Sequence, residues 1–85
     1  MAIPEPRTLS EVEIRHKNGG VVKIRAGSFV DVSENANDPS FLREWLGKGP
    51  YRVFEIRELP DGSKALYLPR ANGAGVSVSD FVCVD

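Results

Sequence analysis

Cysteine, histidine and tryptophan occur once each in this 85-residue chain, as Cys83, His16 and Trp45. A lone thiol excludes an intrachain disulfide framework and any cysteine-based metal cluster. With one histidine beside it, a structural zinc site has too few nitrogen and sulfur ligands. Long apolar runs are also missing, and a membrane-spanning helix needs about 20 apolar residues in a row. So is an excess of charge. Eleven basic and twelve acidic residues leave a formal net charge of −1. Overall charge therefore does not steer the chain to nucleic acid or to an anionic membrane. The opening "MAIPEPRTLSEVEI" carries neither a signal-peptide apolar core nor an Arg/Ser-rich transit pattern. The expected setting is cytoplasmic and reducing.

What is present is the composition of one small folded domain, 41% apolar and 27% charged. Pro4 and Pro6 mark residues 1–9 as a flexible N-terminal arm, and residues 10–85 as the domain. In "EVEIRHKNGGVVKIRAG" apolar and polar residues alternate on both sides of a turn. A three-residue Asn18-Gly19-Gly20 loop keeps one face apolar by pairing Ile14 with Ile24 and Val12 with Ala26. That register places Glu13 opposite Arg25, which is favourable, and Arg15 opposite Lys23, which is not. "SFVDV" reads as a short strand. Asp38 caps and Pro39 opens a short helix, about residues 39–46, that Gly47 stops. Its Phe41 and Trp45 fall on one stripe, with Leu42 and Leu46 beside them.

"YRVFEIRELPDGSKALYLP" is the clearest hairpin. Pro60-Asp61-Gly62 forms the turn, and the register pairs Ile56 with Leu66, Phe54 with Leu68, and Glu58 with Lys64. "GVSVSDFVCVD" supplies two last strands around a tight turn at Ser79-Asp80-Phe81. Five to seven short strands and one short helix make a mainly β fold, a small, partly open barrel.

Residues 28–85 resemble an SH3-like barrel. "GSFVDV" is similar to its opening strand, and "GVSVSDFVCVD" to its ending Gly-x-x-Pro-Ser-Asn-Tyr-Val, through Gly75, Ser79 and Val82. The Ala-Leu-Tyr-Asp-Tyr strand and acidic loop of signalling SH3 domains are absent, so the resemblance does not imply proline-motif binding. "GSFVDV" is also similar to the Gly-x-x-Val-x-Val start of a small RNA-binding barrel motif. A fold of this kind does not by itself fix a function.

No catalytic constellation, metal set or cofactor motif stands out. Gly47-Lys48-Gly49 lacks the upstream glycine and the following hydroxyl of a phosphate loop, and it leaves a helix C-terminus, where the dipole is negative. His16 reads as a half-buried structural residue, and Cys83 as an idle thiol within a strand. The carboxylates are scattered. The expected function is a non-enzymatic binding module with a protein partner; the oligomeric state is open. The candidate partner-binding residues are Trp45, Tyr51 and Tyr67, with Lys48, Arg52 and Arg70 beside them. Trp45 reads first as the pin that holds the helix to the barrel, and the two tyrosines as partly exposed. Strand addition at a sheet edge is another route to a protein partner. The alternative is nucleic-acid binding through Arg15, Lys17, Lys23 and Arg25 on the first hairpin.

Overall fold

The computed structural model describes residues 7–85. It is mainly β, with nine short strands in three sheets, one α-helix and no closed barrel. The strands are β1 (Arg7–Leu9), β2 (Val12–Arg15), β3 (Val21–Ile24), β4 (Phe29–Val32), β5 (Tyr51–Arg52), β6 (Glu55–Glu58), β7 (Lys64–Tyr67), β8 (Gly75–Ser77) and β9 (Phe81–Cys83). The helix α1 spans Pro39–Leu46, and 3₁₀ turns cover Pro69–Ala71 and Val78–Asp80. One sheet runs β1-β6-β7-β8, one is the hairpin β2-β3, and one runs β5-β4-β9.

Two differences raise the strand count above the expected five to seven. Residues 1–6 of the expected arm lie outside the described residues, but Arg7–Leu9 pair antiparallel with β6. The β6 edge offers backbone donors and acceptors, and Leu9 packs against the core. The second difference is a break in the long strand expected over residues 51–58. Val53 exchanges backbone hydrogen bonds with Gly27 and Ser28 (2.7 and 2.8 Å), whereas the Phe54 N–H donates to Tyr67 (2.8 Å). The chain changes sheets between these two residues. Alternation slips by one, so Val53 is fully buried and Phe54 is 69% exposed. Phe54 therefore leaves the apolar face on which the pattern placed it.

The second hairpin has the expected register, with Ile56 opposite Leu66 and Glu58 opposite Lys64. The first hairpin has the expected faces but is shifted by two residues. Val12 pairs with Ile24, Glu13 with Lys23, Ile14 with Val22 and Arg15 with Val21. The loop is Lys17-Asn18-Gly19, closed by His16 N–H to Gly20 O at 2.7 Å. Gly19 takes the left-handed position, φ +98°, where a side chain is disfavoured. The shift also replaces the repulsive Arg15–Lys23 pair with an attractive Glu13–Lys23 pair. A move of two residues keeps every side chain on its own face, which is why the faces survived.

α1 has the expected bounds. Asp38 Oδ1 accepts from Phe41 N–H (3.1 Å), and the Gly47 N–H donates to Arg43 O (2.8 Å). Its rotation is not the expected one. Leu42 and Leu46 enter the core, while Phe41 and Trp45 are 57% and 43% exposed and stack on each other at 6.2 Å. Contacts at its C-terminus hold the helix in this rotation. Arg70 Nη1 donates to the Lys48 carbonyl (3.0 Å) and the Leu46 carbonyl (3.5 Å), and the Tyr51 hydroxyl donates to the Gly47 carbonyl.

The core lies between the sheets and under α1. Val30, Val53 and Leu66 are 0% exposed, and Tyr51 and Phe81, each 2% exposed, meet edge to face at 6.3 Å. Among the described residues, no helix is long and apolar enough to cross a membrane.

Candidate functional site

In an antiparallel pair, residues alternate between exchanging hydrogen bonds and turning their backbone groups away. His16 bonds to Gly20. Ile14 and Val12 are therefore the other bonded positions of β2, and Glu13 and Arg15 turn their N–H and C=O groups away from β3. They face β9. β2 and β9 meet there in one parallel bridge, His16 with Cys83, in which the Lys17 N–H donates to Cys83 O at 3.0 Å. Before that bridge the two strands do not pair. Each belongs to a different sheet and is an edge strand of it.

A cavity of about 630 Å³ opens between them. Val12, Ile14 and Phe81 supply apolar lining. Glu13, Arg15 and Lys64 supply charge, and Ser33, Ser63, Ser77 and Ser79 supply hydroxyls. A second cavity, about 380 Å³, shares Arg15, Ser33, Asn35 and Val82 with the first and continues to Lys17 and Arg43, with the carboxylates of Asp31 and Glu34 beside them. The two form one groove across the β2–β9 junction.

His16, Cys83 and Asp85 come together at the closed end, a grouping the spacing of these residues concealed. The Asn18 N–H donates to His16 Nδ1 (3.2 Å), so the imidazole proton sits on Nε2 and donates to the Asp85 carbonyl (3.2 Å). Cys83 Sγ donates to Asp85 Oδ1 at 2.9 Å. Burial pushes the thiol up, and the neighbouring Asp85 carboxylate adds to the push. This is the opposite of the depressed pKa of a reactive cysteine. The same S–H donation holds the Asp85 carboxyl below its usual range, helped by the Phe29 N–H. Among the described residues, no three histidine, cysteine, aspartate or glutamate side chains assemble as a metal-ligand set.

Burial also raises the Tyr51 phenol, with Asp31 adding to it. The thiol and the phenol hold their protons more tightly folded than unfolded. Their contribution to stability is complete below the unfolded values, 9.0 and 10.0, and is lost as pH rises through the folded ones. Asp85 acts in the opposite sense: its contribution is present above the unfolded carboxylate range and is lost on acidification. Thermal melts should hold steady from neutrality to about pH 8.5 and then fall as the thiol and phenol ranges are passed. A Cys83→Ala, Tyr51→Phe double variant should flatten that fall; an unchanged slope would assign it to other groups.

The expected aromatic groove does not assemble. Tyr51 is buried rather than partly exposed, because its ring fills the core against Phe81 while its hydroxyl ties down the turn after α1. Trp45 is exposed rather than a pin. Tyr67 is half-buried under the Arg57 guanidinium, 4.8 Å from the ring centroid, and Glu55 holds Arg57 there at 2.7 Å. Arg70 clamps the helix end, and Lys48 and Arg52 lie exposed near it and on β5. Tyr67 instead lines a separate cavity of about 380 Å³ with Phe54 and Pro69. In the basic ladder, Lys23 and Arg25 both approach Glu11, at 3.8 and 3.9 Å. Arg15 and Lys17 have no carboxylate within 4.0 Å among the described residues, and Arg15 alone of the four lines both cavities of the groove.

The groove's serines and Lys64 went unmarked in the sequence. The one available signal was "SVSD", two hydroxyls at alternate positions before a turn. Compared with family models, with curated proteins and with solved structures, the chain gives no match in any of the three.

Proposed function

We propose that this protein is a non-enzymatic module that binds an extended segment of a partner polypeptide along the groove between β2 and β9. The observation that carries the reading is the pair of strand edges that meet at one bridge and then part. Glu13 presents its backbone donor and acceptor to the groove and Arg15 its N–H, and an extended chain laid there gains ladder hydrogen bonds. Half-buried Val78 and Val82, over the buried Val12, Ile14 and Phe81, give its side chains contact area.

The proposal takes the domain as an SH3-like, partly open barrel. Its support is the chain order. β4 is followed by a long excursion holding α1, then by the bent pair β5–β6, by β7 and β8, by a single 3₁₀ turn at Val78–Asp80, and by β9 returning to β4. The non-enzymatic part rests on a buried, protonated thiol and on a histidine whose two ring nitrogens are both engaged. Peptide is favoured over nucleic acid because Glu11 offsets half of the basic ladder and the exposed rings of Phe41 and Trp45 do not line the groove. A cytoplasmic setting accords with the single unpaired cysteine.

Glu13→Pro tests the edge. Proline removes the N–H that faces the groove and leaves the β2–β3 hydrogen bonds intact, the placement in which an edge strand tolerates it. Peptides selected from a random display library against the natural chain should lose at least about tenfold in affinity for this variant. Glu13→Ala should retain them. Equal binding by Glu13→Pro, with melts showing it folded, would remove strand addition as the mode.

A further inference from the structure

The chemistry lining the groove goes further than backbone pairing, and its meaning for selectivity rests on peptide binding there. The larger cavity has two cations, Arg15 and Lys64, and one carboxylate, Glu13. Glu13 lies opposite Lys23 across the hairpin. Neither cavity cation has a carboxylate within 4.0 Å among the described residues, and the four ion pairs formed there use Arg7, Lys23, Arg25 and Arg57 instead. Among the described residues Lys64 Nζ donates to the Gly62 carbonyl alone, at 3.2 Å. Beside these charges Ser77 Oγ and Ser79 Oγ are hydrogen-bonded at 2.8 Å. One hydroxyl proton serves that bond. The second is left to donate outward, since each serine carries one O–H. Arg15, Lys64, whose cross-strand neighbour Glu58 is held by Arg7, and a free hydroxyl donor above an apolar floor form a setting for an oxyanion on an otherwise apolar chain.

We propose that the peptide held between β2 and β9 carries an anionic group, a carboxylate or a phosphate, bound by Arg15 and Lys64 with the Ser77–Ser79 pair donating. The backbone of the peptide takes the β2 edge, and the anion sets which peptide is chosen. Both cations are exposed, so they act on selectivity and on rate of encounter more than on the fold.

Four mixtures of fluorescein-labelled decapeptides test this by anisotropy. Each has one central position fixed, as Asp, phosphoserine, Ala or Lys, with the flanks randomised over uncharged residues. The Asp or the phosphoserine mixture should bind at least about tenfold tighter than the Ala and Lys mixtures at about 50 mM salt, and the gap should narrow as salt rises. Whichever of the two leads identifies the source of the anion. An Arg15→Gln, Lys64→Gln variant should bring all four within about twofold of one another while keeping the affinity of the Ala mixture. A Ser77→Ala, Ser79→Ala variant should weaken the leading mixture by a few-fold and leave the Ala mixture unchanged. Equal affinities across the four mixtures, or a lead for Lys, overturn the anion while leaving peptide binding in place. Binding of a 20-nucleotide oligo-dT with no peptide binding, or no binding of any probe, overturns both. Melting curves of each variant confirm that the changes act on a folded chain.

Discussion

Phe81→Ala is expected to lower the unfolding free energy by about 3–5 kcal/mol. An 85-residue domain has roughly 4–13 kcal/mol in total, so the variant loses a large share of its stability and is partly unfolded at room temperature if the parent lies at the low end of that range. The reason is position as much as size. Phe81 is 2% exposed, opens β9 directly after the 3₁₀ turn, pairs with Val32 and meets Tyr51 edge to face. Its ring therefore sits where β9, β4 and the residue that clamps α1 converge. Removing it leaves a cavity that these short elements cannot close without losing register. Urea titration followed by circular dichroism measures the effect as a drop in the midpoint. A loss below about 1 kcal/mol would mean that the sheets hold together through other contacts. Phe81 also floors the groove, so the milder Phe81→Leu is the variant in which to ask whether binding changes in a folded chain.

Gly49→Ala should cost about 1–3 kcal/mol, an overpacking effect rather than a backbone one. A Cβ at residue 49 would lie 2.7 Å from Asp31 Oδ1 and 3.0 Å from its Cγ. Asp31 has little freedom to retreat, because the same oxygen accepts the Val32 N–H at 2.7 Å. Gly49 is not among the residues with positive φ, so no left-handed conformation demands glycine there. This makes the cost a property of one contact, and a double-mutant cycle isolates it. In an Asp31→Ala background, Gly49→Ala should become neutral or stabilise by about 0.4–1 kcal/mol, through the lower entropy of the unfolded chain. If the penalty persists at full size without the carboxylate, the close approach is not its cause. Gly19→Ala is the contrast, with no atom within 4 Å but φ +98°, where the strain lies in the backbone itself.

These two residues mark the limit of what could be read in one dimension. Local patterns determined the local structure. Asp38, Pro39 and Gly47 set the bounds of α1, because capping is a matter of a few neighbouring backbone groups. The alternation around Pro60-Asp61-Gly62 set the register of the second hairpin, with Ile56 opposite Leu66 and Glu58 opposite Lys64, although the expected Phe54–Leu68 pair does not form. In the first hairpin the same alternation determined the faces, but not the register. Two registers two residues apart share their faces, and the left-handed site at Gly19 chose between them.

Charge and composition bounded the function class without reaching a site, and the site is where the sequence ran out. Trp45 was legible as one stripe of a helix, but its exposure was decided by how α1 packs, with the leucines turned inward and the helix end held by Arg70, 25 residues away in the chain. Tyr51 read as partly exposed and is instead buried in the core against Phe81. Val53 and Phe54 exchanged the places that alternation assigned them, because the chain changes sheets between them. The groove has no local signature at all. Its walls come from β2 and β9, near opposite ends of the chain, and they face one another only because β9 pairs with β4 while β2 meets it at one residue. Propensity and pattern act over a few residues, so the sequence by itself determined the elements. Which edges are left without a partner depends on how the sheets pack, and only the tertiary structure decided that.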